Sequence, residues 1–199
     1  STLKTASSLP PSSLLQESGF IACSVPETCG RIPSLGDEAK AMAHAGLTPQ
    51  QYLQELEKKE LFEDAAKFLS HALCKRDAVG WACRCIHEAA GEQLSQKEAA
   101  ALGVVQAWVL EPTEAHRRAA QAKAEELEQA TPASWAAMAA FWSEGSLAPP
   151  NAPVVPPGPH LTAHAVAGAV MLAAVNKEPE KAPEKYRRFI ALGLETGSG

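Results

Sequence analysis

From Ser134 to Val175 the sequence SWAAMAAFWSEGSLAPPNAPVVPPGPHLTAHAVAGAVMLAAV carries a single formal charge, Glu144. The stretch restricts the fold more than any other part of the chain. Its first third spaces Trp135, Met138, Ala139 and Trp142 by 3, 4 and 7 residues, which places them on one face of a helix. Its last third, opened by His160 or Thr162 and running to Val175, is apolar on every face, and such a helix must be buried. The Val166–Val175 run falls short of the roughly 20 apolar residues that a bilayer requires, so it reads as a core helix rather than a membrane span. Between the two helices, residues 145–159 hold six prolines. Each proline lacks an amide donor, so this segment cannot be a central strand and reads as a stiff internal loop.

The rest of the chain repeats the helical signal. Asp37 starts a short helix that Gly46 stops, and Thr48-Pro49 reads as N-cap and first helical residue of the next, with Tyr52, Leu53 and Leu56 on one face. Leu61, Ala65, Phe68, Leu69 and Ala72 form an inward stripe, as do Val79, Ala82, Cys83 and Ile86, with Arg84 and Glu88 pointing away. Ser95 with Glu98 reads as a capping box for a helix carrying Leu102, Val105 and Trp108. Thr113 caps a charged outer helix that turns Ala119, Ala122 and Leu127 inward, Thr131-Pro132 starts another, and Pro183 opens a last one bearing Tyr186, Phe189, Ile190 and Leu194. Gly197–Gly199 reads as an end.

No period-2 strand appears, so the predicted fold class is all-α, an irregular bundle of about seven to nine helices. Residues 1–36, rich in Ser, Thr, Pro and Gly, read as a disordered or extended N-terminal arm, in which Phe20, Ile21 and Val25 are apolar enough to dock. Residues 37–196 form a single helical domain with the Pro-rich loop at 145–159, in keeping with a chain of 199 residues.

A net charge of −5 supplies no basic footprint for nucleic acid. Five cysteines, Cys23, Cys29, Cys74, Cys83 and Cys85, are an odd set without the spacing of a secreted disulfide framework. They point to reduced thiols in the cytoplasm. Cys83, Cys85 and His87 are close in sequence, yet on a helix Cys85 diverges from the other two, so no four-ligand metal site is expected. His160 and His164 have the i, i+4 spacing of helical metal sites but lack the intervening glutamate base, and read as capping or surface residues. His71 and Cys74, one turn apart, read as incidental. No phosphate loop or nucleophile elbow is present, and no catalytic residue, metal or cofactor is expected. Trp81 and Trp108 belong to the core, whereas Trp142 at a helix end either packs under its own loop or anchors a partner. The candidate protein-binding residues are therefore Trp142, Leu147, Pro149, Pro150, Val154, Val155 and His160.

The series LSQKEAAALGVVQAWVLEPTEAHRRAA, TPASWAAMAAFWSEGSLAPP, PPGPHLTAHAVAGAVMLAAV and PEKYRRFIALG resembles an uncharacterised bacterial all-helical domain family associated with type VI secretion gene neighbourhoods. The resemblance covers residues 22–195, and AAFWSEGSLAPP and PHLTAHAVAGAV are its most specific parts. It brings no assigned activity or catalytic residues. It implies a non-enzymatic adaptor or chaperone for a secreted effector or spike-tip protein. An immunity protein neutralising a toxin, and a small metal-dependent enzyme using the His and Cys groups, are the alternatives.

Overall fold

The computed structural model describes residues 13–199, with side chains from Leu15 onward. Among the described residues there are ten α-helices, α1 (Val25–Gly30), α2 (Asp37–Met42), α3 (Pro49–Lys58), α4 (Phe62–Ala72), α5 (Lys75–Ala90), α6 (Gln96–Leu110), α7 (Glu114–Glu126), α8 (Pro132–Phe141), α9 (Leu161–Val175) and α10 (Ala182–Ser198), with short 3₁₀ turns and no strand. Eight are ten residues or longer, α1 and α2 being single short pieces. The fold is all-α.

The starts follow the local chemistry. Thr48 and Thr131 each close a reciprocal capping box, with Gln51 and Ser134, and proline takes the first turn of both helices. Ser95 and Thr113 accept from the third backbone N–H of α6 and α7, but Glu98 offers no return bond, so the expected box at Ser95 is a one-sided cap. Asp37 lies inside α2, whose N-cap is Gly36; the N–H of Gly36 donates to Asp64 at 2.8 Å, which ties α2 to α4.

The two uncharged helices form the centre. α9 packs against α8, α5, α4 and α10, while α6, α7 and α8 pack on one another. Ala136, Ala137, Ala139 and Ala140 of α8 and Ala165, Ala169 and Val170 of α9 have no exposed surface. Small side chains let the axes approach, and a Cβ on Gly168 would stand 3.3 Å from the Trp135 ring. Sequence spacing groups the large side chains of α8, yet Trp135, Met138 and Trp142 are only partly buried and the alanine faces lie innermost. A helix with neighbours on several sides gives its closest contacts to its smallest residues.

In α7 the inward stripe is Arg117, Ala120 and Ala124, while Ala122 is exposed. The expected stripe through Ala119, Ala122 and Leu127 is thus rotated, because a buried arginine occupies the inner face. The stripes of α4, α5 and α10 lie inward as their spacing requires: Phe68, Leu69, Val79, Ala82, Phe189 and Ile190 are all within 1 % of full burial.

The expected disordered arm falls partly on residues 1–12, outside the described residues. The described remainder is not an extended arm. Ser24 caps α1 by accepting from the Glu27 N–H, and Leu15, Val25, Ile32 and Leu35 are buried in the same core as the long helices. Around Phe20 the backbone pairs with the α4–α5 corner: the N–H of Ile21 donates to Ala72 at 2.8 Å and that of Cys74 to Gly19 at 2.9 Å. α10 continues through Gly197, where the Phe20 ring crosses the helix at a distance that leaves no room for a side chain. Gly197, expected to lie past the last helix, is a contact point within it.

Candidate functional site

Arg117 is the residue that shapes the Pro-rich loop. Its side chain is 2 % exposed and lies between Glu114 and the end of α8. Nε and Nη2 donate to the Glu114 carboxylate at 2.6 and 2.7 Å, Nη1 donates to the carbonyl of Phe141 at 2.8 Å, and Nη2 also donates to that of Ser146 at 3.2 Å. The guanidinium rests 4.8 Å from the centre of the Phe141 ring. Burial by itself would raise the Glu114 carboxyl, but the hydrogen bonds and charge of Arg117, then those of Arg118, outweigh it and hold the group below the usual carboxylate range. Gly145 adopts φ +74° against this guanidinium, and a Cβ there would meet Nη2 at 2.9 Å.

Beyond that anchor the loop satisfies its own backbone. Ser146 Oγ accepts from the N–H groups of Ala148 and Val155, Leu147 N–H donates to Val155 at 2.8 Å, and Ala152 N–H donates to Pro149 at 3.0 Å. The result is a folded-back loop that turns at Pro149–Ala152 and carries an apolar returning arm open to solvent: Val154 is 74 % and Val155 49 % exposed, and Pro149 and Pro150 at the turn are exposed as well. Leu147 is half-buried, and Trp142, the C-cap residue of α8, packs its indole against the core while staying partly accessible. The loop thus brings Leu147, Pro149, Pro150, Val154 and Val155 together. His160 belongs elsewhere.

His160 is the N-cap residue of α9 without a side-chain cap bond, and it joins a group that sequence spacing does not reveal. The rings of His160 and His164 lie 6.1 and 5.7 Å, centre to centre, from that of His71 on α4. His71 and His160 line a cavity of about 160 Å³ together with Glu17, Ile21, Arg31, Ser70, Leu73, Cys74, Lys75, Pro159, Thr162 and Ala163. His71 Nδ1–H donates to the Lys67 carbonyl at 2.9 Å, and its Nε2 is buried without a partner. Burial lowers the His71 pKa, the Lys67 bond opposing it and His164, His160 and Arg31 adding to it. Burial also lowers that of His160, followed by Arg31, His164 and Lys75.

A family model described as Family of unknown function (DUF6931) matches residues 52–196. The chain belongs to that family. The match takes in α4 to α10, the loop and His71, His160 and His164, whereas the docked segment before Tyr52, including Arg31, precedes it. No curated protein and no solved structure matches the chain.

Other DUF6931 chemistry in this chain is quiet. All five cysteines are free thiols, so Cys23 and Cys29 are not paired; Arg31 donates to Cys23 Sγ at 3.3 Å instead. Burial pushes the Cys83 thiol up to about 12 and Cys85 well above its ordinary value. Cys74, neighbour of His71, is raised by burial and then by Glu17 and Asp77, the opposite of what a thiolate nucleophile needs. Among the described residues no three His, Cys, Asp or Glu side chains are placed to hold a metal ion, and no helix is long and apolar enough to cross a membrane.

Proposed function

We propose that this DUF6931 protein is a non-enzymatic accessory protein that binds another protein through the exposed apolar arm of its Pro-rich loop. The observation that carries the reading is a fixed loop whose apolar end is unpacked. Arg117 anchors the base through Phe141 and Ser146, and Val154 and Val155 stand exposed. A pre-organised apolar arm loses little conformational entropy when it is covered, so its burial contributes to affinity rather than to ordering the loop. Trp142, packed against the core, and half-buried Leu147 lie at the base of the loop and offer less open surface than Val154. In the secretion setting implied by the motif resemblance, the partner would be an effector or spike-tip component of a type VI system, with this chain as adaptor or chaperone.

The test is affinity capture from the native bacterium with the wild-type chain and with Val154→Asp/Val155→Asp. Both positions are exposed, so the double variant should melt at the wild-type temperature. Wild type should recover a secretion component that the variant loses; equal recovery by both would remove the Val154–Val155 arm as the contact. Recovery of a toxin, together with rescue of its toxicity, would replace the adaptor reading with the immunity one.

A further inference from the structure

The cavity between α4, the start of α5 and the start of α9 gathers more hydrogen-bond donors than its walls use. Arg31 and Lys75 both line it, and neither pairs with a carboxylate among the described residues; Arg31 donates to Cys23 Sγ and Lys75 to the Ser143 carbonyl, each retaining further N–H groups. α9, fifteen residues long, starts there without a side-chain cap. The N–H groups of Thr162 and Ala163, in its first turn and on the cavity wall, have no acceptor among the described residues. Thr162 Oγ1 donates to the Ala139 carbonyl at 2.9 Å and accepts from neither of them. The positive end of the helix dipole adds to the two cations.

An independent observation lies opposite. His71 is 7 % exposed, its Nδ1–H is held by Lys67, and Nε2 is its remaining polar atom, without a partner. An orphaned buried ring nitrogen is costly unless something completes it, and the charge of Arg31, on the same cavity wall, adds to that cost if the ring is protonated alone. Nε2 itself is closed to solvent, so an anion in the cavity meets it only after the ring turns; once protonated, Nε2–H becomes one more donor, and the anion supplies both the charge that stabilises the imidazolium and the acceptor that satisfies it. His160 contributes a second imidazole, and the exposed His164, whose ring is 5.7 Å from that of His71, does not line the cavity. The counter-charges are few: Glu17, exposed, is the one carboxylate on the wall; Asp77 accepts from the Gly19 N–H, and Glu144, off the wall, acts on Lys75 without forming an ion pair.

We propose that this cavity is an oxyanion site that takes a phosphate group, free or carried on a small monoester. A carboxylate has two acceptor oxygens for a wall offering Arg31, Lys75, two backbone N–H groups and two imidazoles. A phosphate presents three or four, and its negative charge complements the two cations in either ionisation state. Occupation would link Arg31 of the docked N-terminal segment to the starts of α5 and α9.

The probe is inorganic phosphate, titrated at pH 6.5 into the full chain in a buffer free of other polyanions and followed by calorimetry and by the ring nitrogen signals of His71. Saturable one-to-one binding is expected, with the His71 Nε2 signal moving from the unprotonated to the protonated position as phosphate is added. Arg31→Gln and Lys75→Gln should each weaken binding by about tenfold or more, the loss expected for one charge-assisted hydrogen bond. Glycerol phosphate binding more tightly than the free ion would assign the source to a monoester, and weaker binding would assign it to the ion; either supports the site. Three results would overturn it: no saturation at millimolar phosphate, an unmoved His71 signal, or acetate binding as tightly as phosphate. The ring signal is read in the unmutated protein, so the outcome does not depend on the variants folding.

Discussion

Arg117 makes the sharpest case for a single side chain deciding local structure. It is buried on the inner face of α7, neutralised by Glu114 and bonded to two carbonyls that would otherwise have no donor at the α8 end. Arg117→Ala should destabilise the protein by about 3 kcal/mol, since it leaves two carbonyls without their donor and Glu114 with Arg118 as its one remaining cation. Urea denaturation measures this. Arg117→Lys should recover only part of the loss, because an ammonium cannot reproduce the planar fork across three acceptors. His71 gives the pH dependence. Its folded pKa lies below the ordinary 6.5, so between those values the unfolded chain binds the proton that the folded chain does not. Stability contributed by this group is therefore complete above about pH 6.5 and falls as pH drops through that range toward the folded pKa. The denaturation midpoint should decline more steeply there in wild type than in His71→Gln, when phosphate is absent.

At the scale of the element, helix starts and helix contacts respond to different chemistry. Thr131→Ala removes a cap from α8 and should cost about 1 kcal/mol. Gly193 on α10 is a different constraint. A Cβ there would stand 2.7 and 2.9 Å from the Leu69 methyls and 3.1 Å from Trp81 Nε1, which donates to the Phe189 carbonyl at 2.8 Å. Leu69 and Trp81 are both fully buried and have no free space to yield. Gly193→Ala should therefore lower stability by about 1–3 kcal/mol, the range for overpacking, although alanine is the better helix former by about 1 kcal/mol. A thermal melt showing Gly193→Ala above wild type would mean that α10 can shift away from α4 and α5.

For the molecule as a whole, the described part of the N-terminal segment is a structural member. Leu15, Val25, Ile32 and Leu35 each lie within 3 % of full burial, and at about 1.5 kcal/mol or more per buried aliphatic side chain their removal approaches the stability of an ordinary domain. A chain starting at Asp37 should show no cooperative thermal transition and should bind a hydrophobic dye. A cooperative melt near the full chain's would show that the segment is dispensable. The family match starts only at Tyr52, whereas the buried core includes Leu15, Val25, Ile32 and Leu35 ahead of it.

Fold class was legible from residue spacing alone, because the 3.6-residue period and the Thr-Pro and Ser caps are local properties of contiguous sequence. The same spacing indicated the buried α9, the interior Trp81 and Trp108, and a stiff loop from 145 to 159. Tertiary structure decided what depends on neighbours. Arg117 reads as solvated by its charge, and only the Phe141 and Ser146 carbonyls brought beside it make burial favourable. His160 reads as a cap because His71 is 89 positions away in sequence and Arg31 is 129, and no periodicity connects residues so distant. Folding α4 against α9 creates that cavity, since the burial that strips water from His71 is a property of the packed interface and not of any one helix.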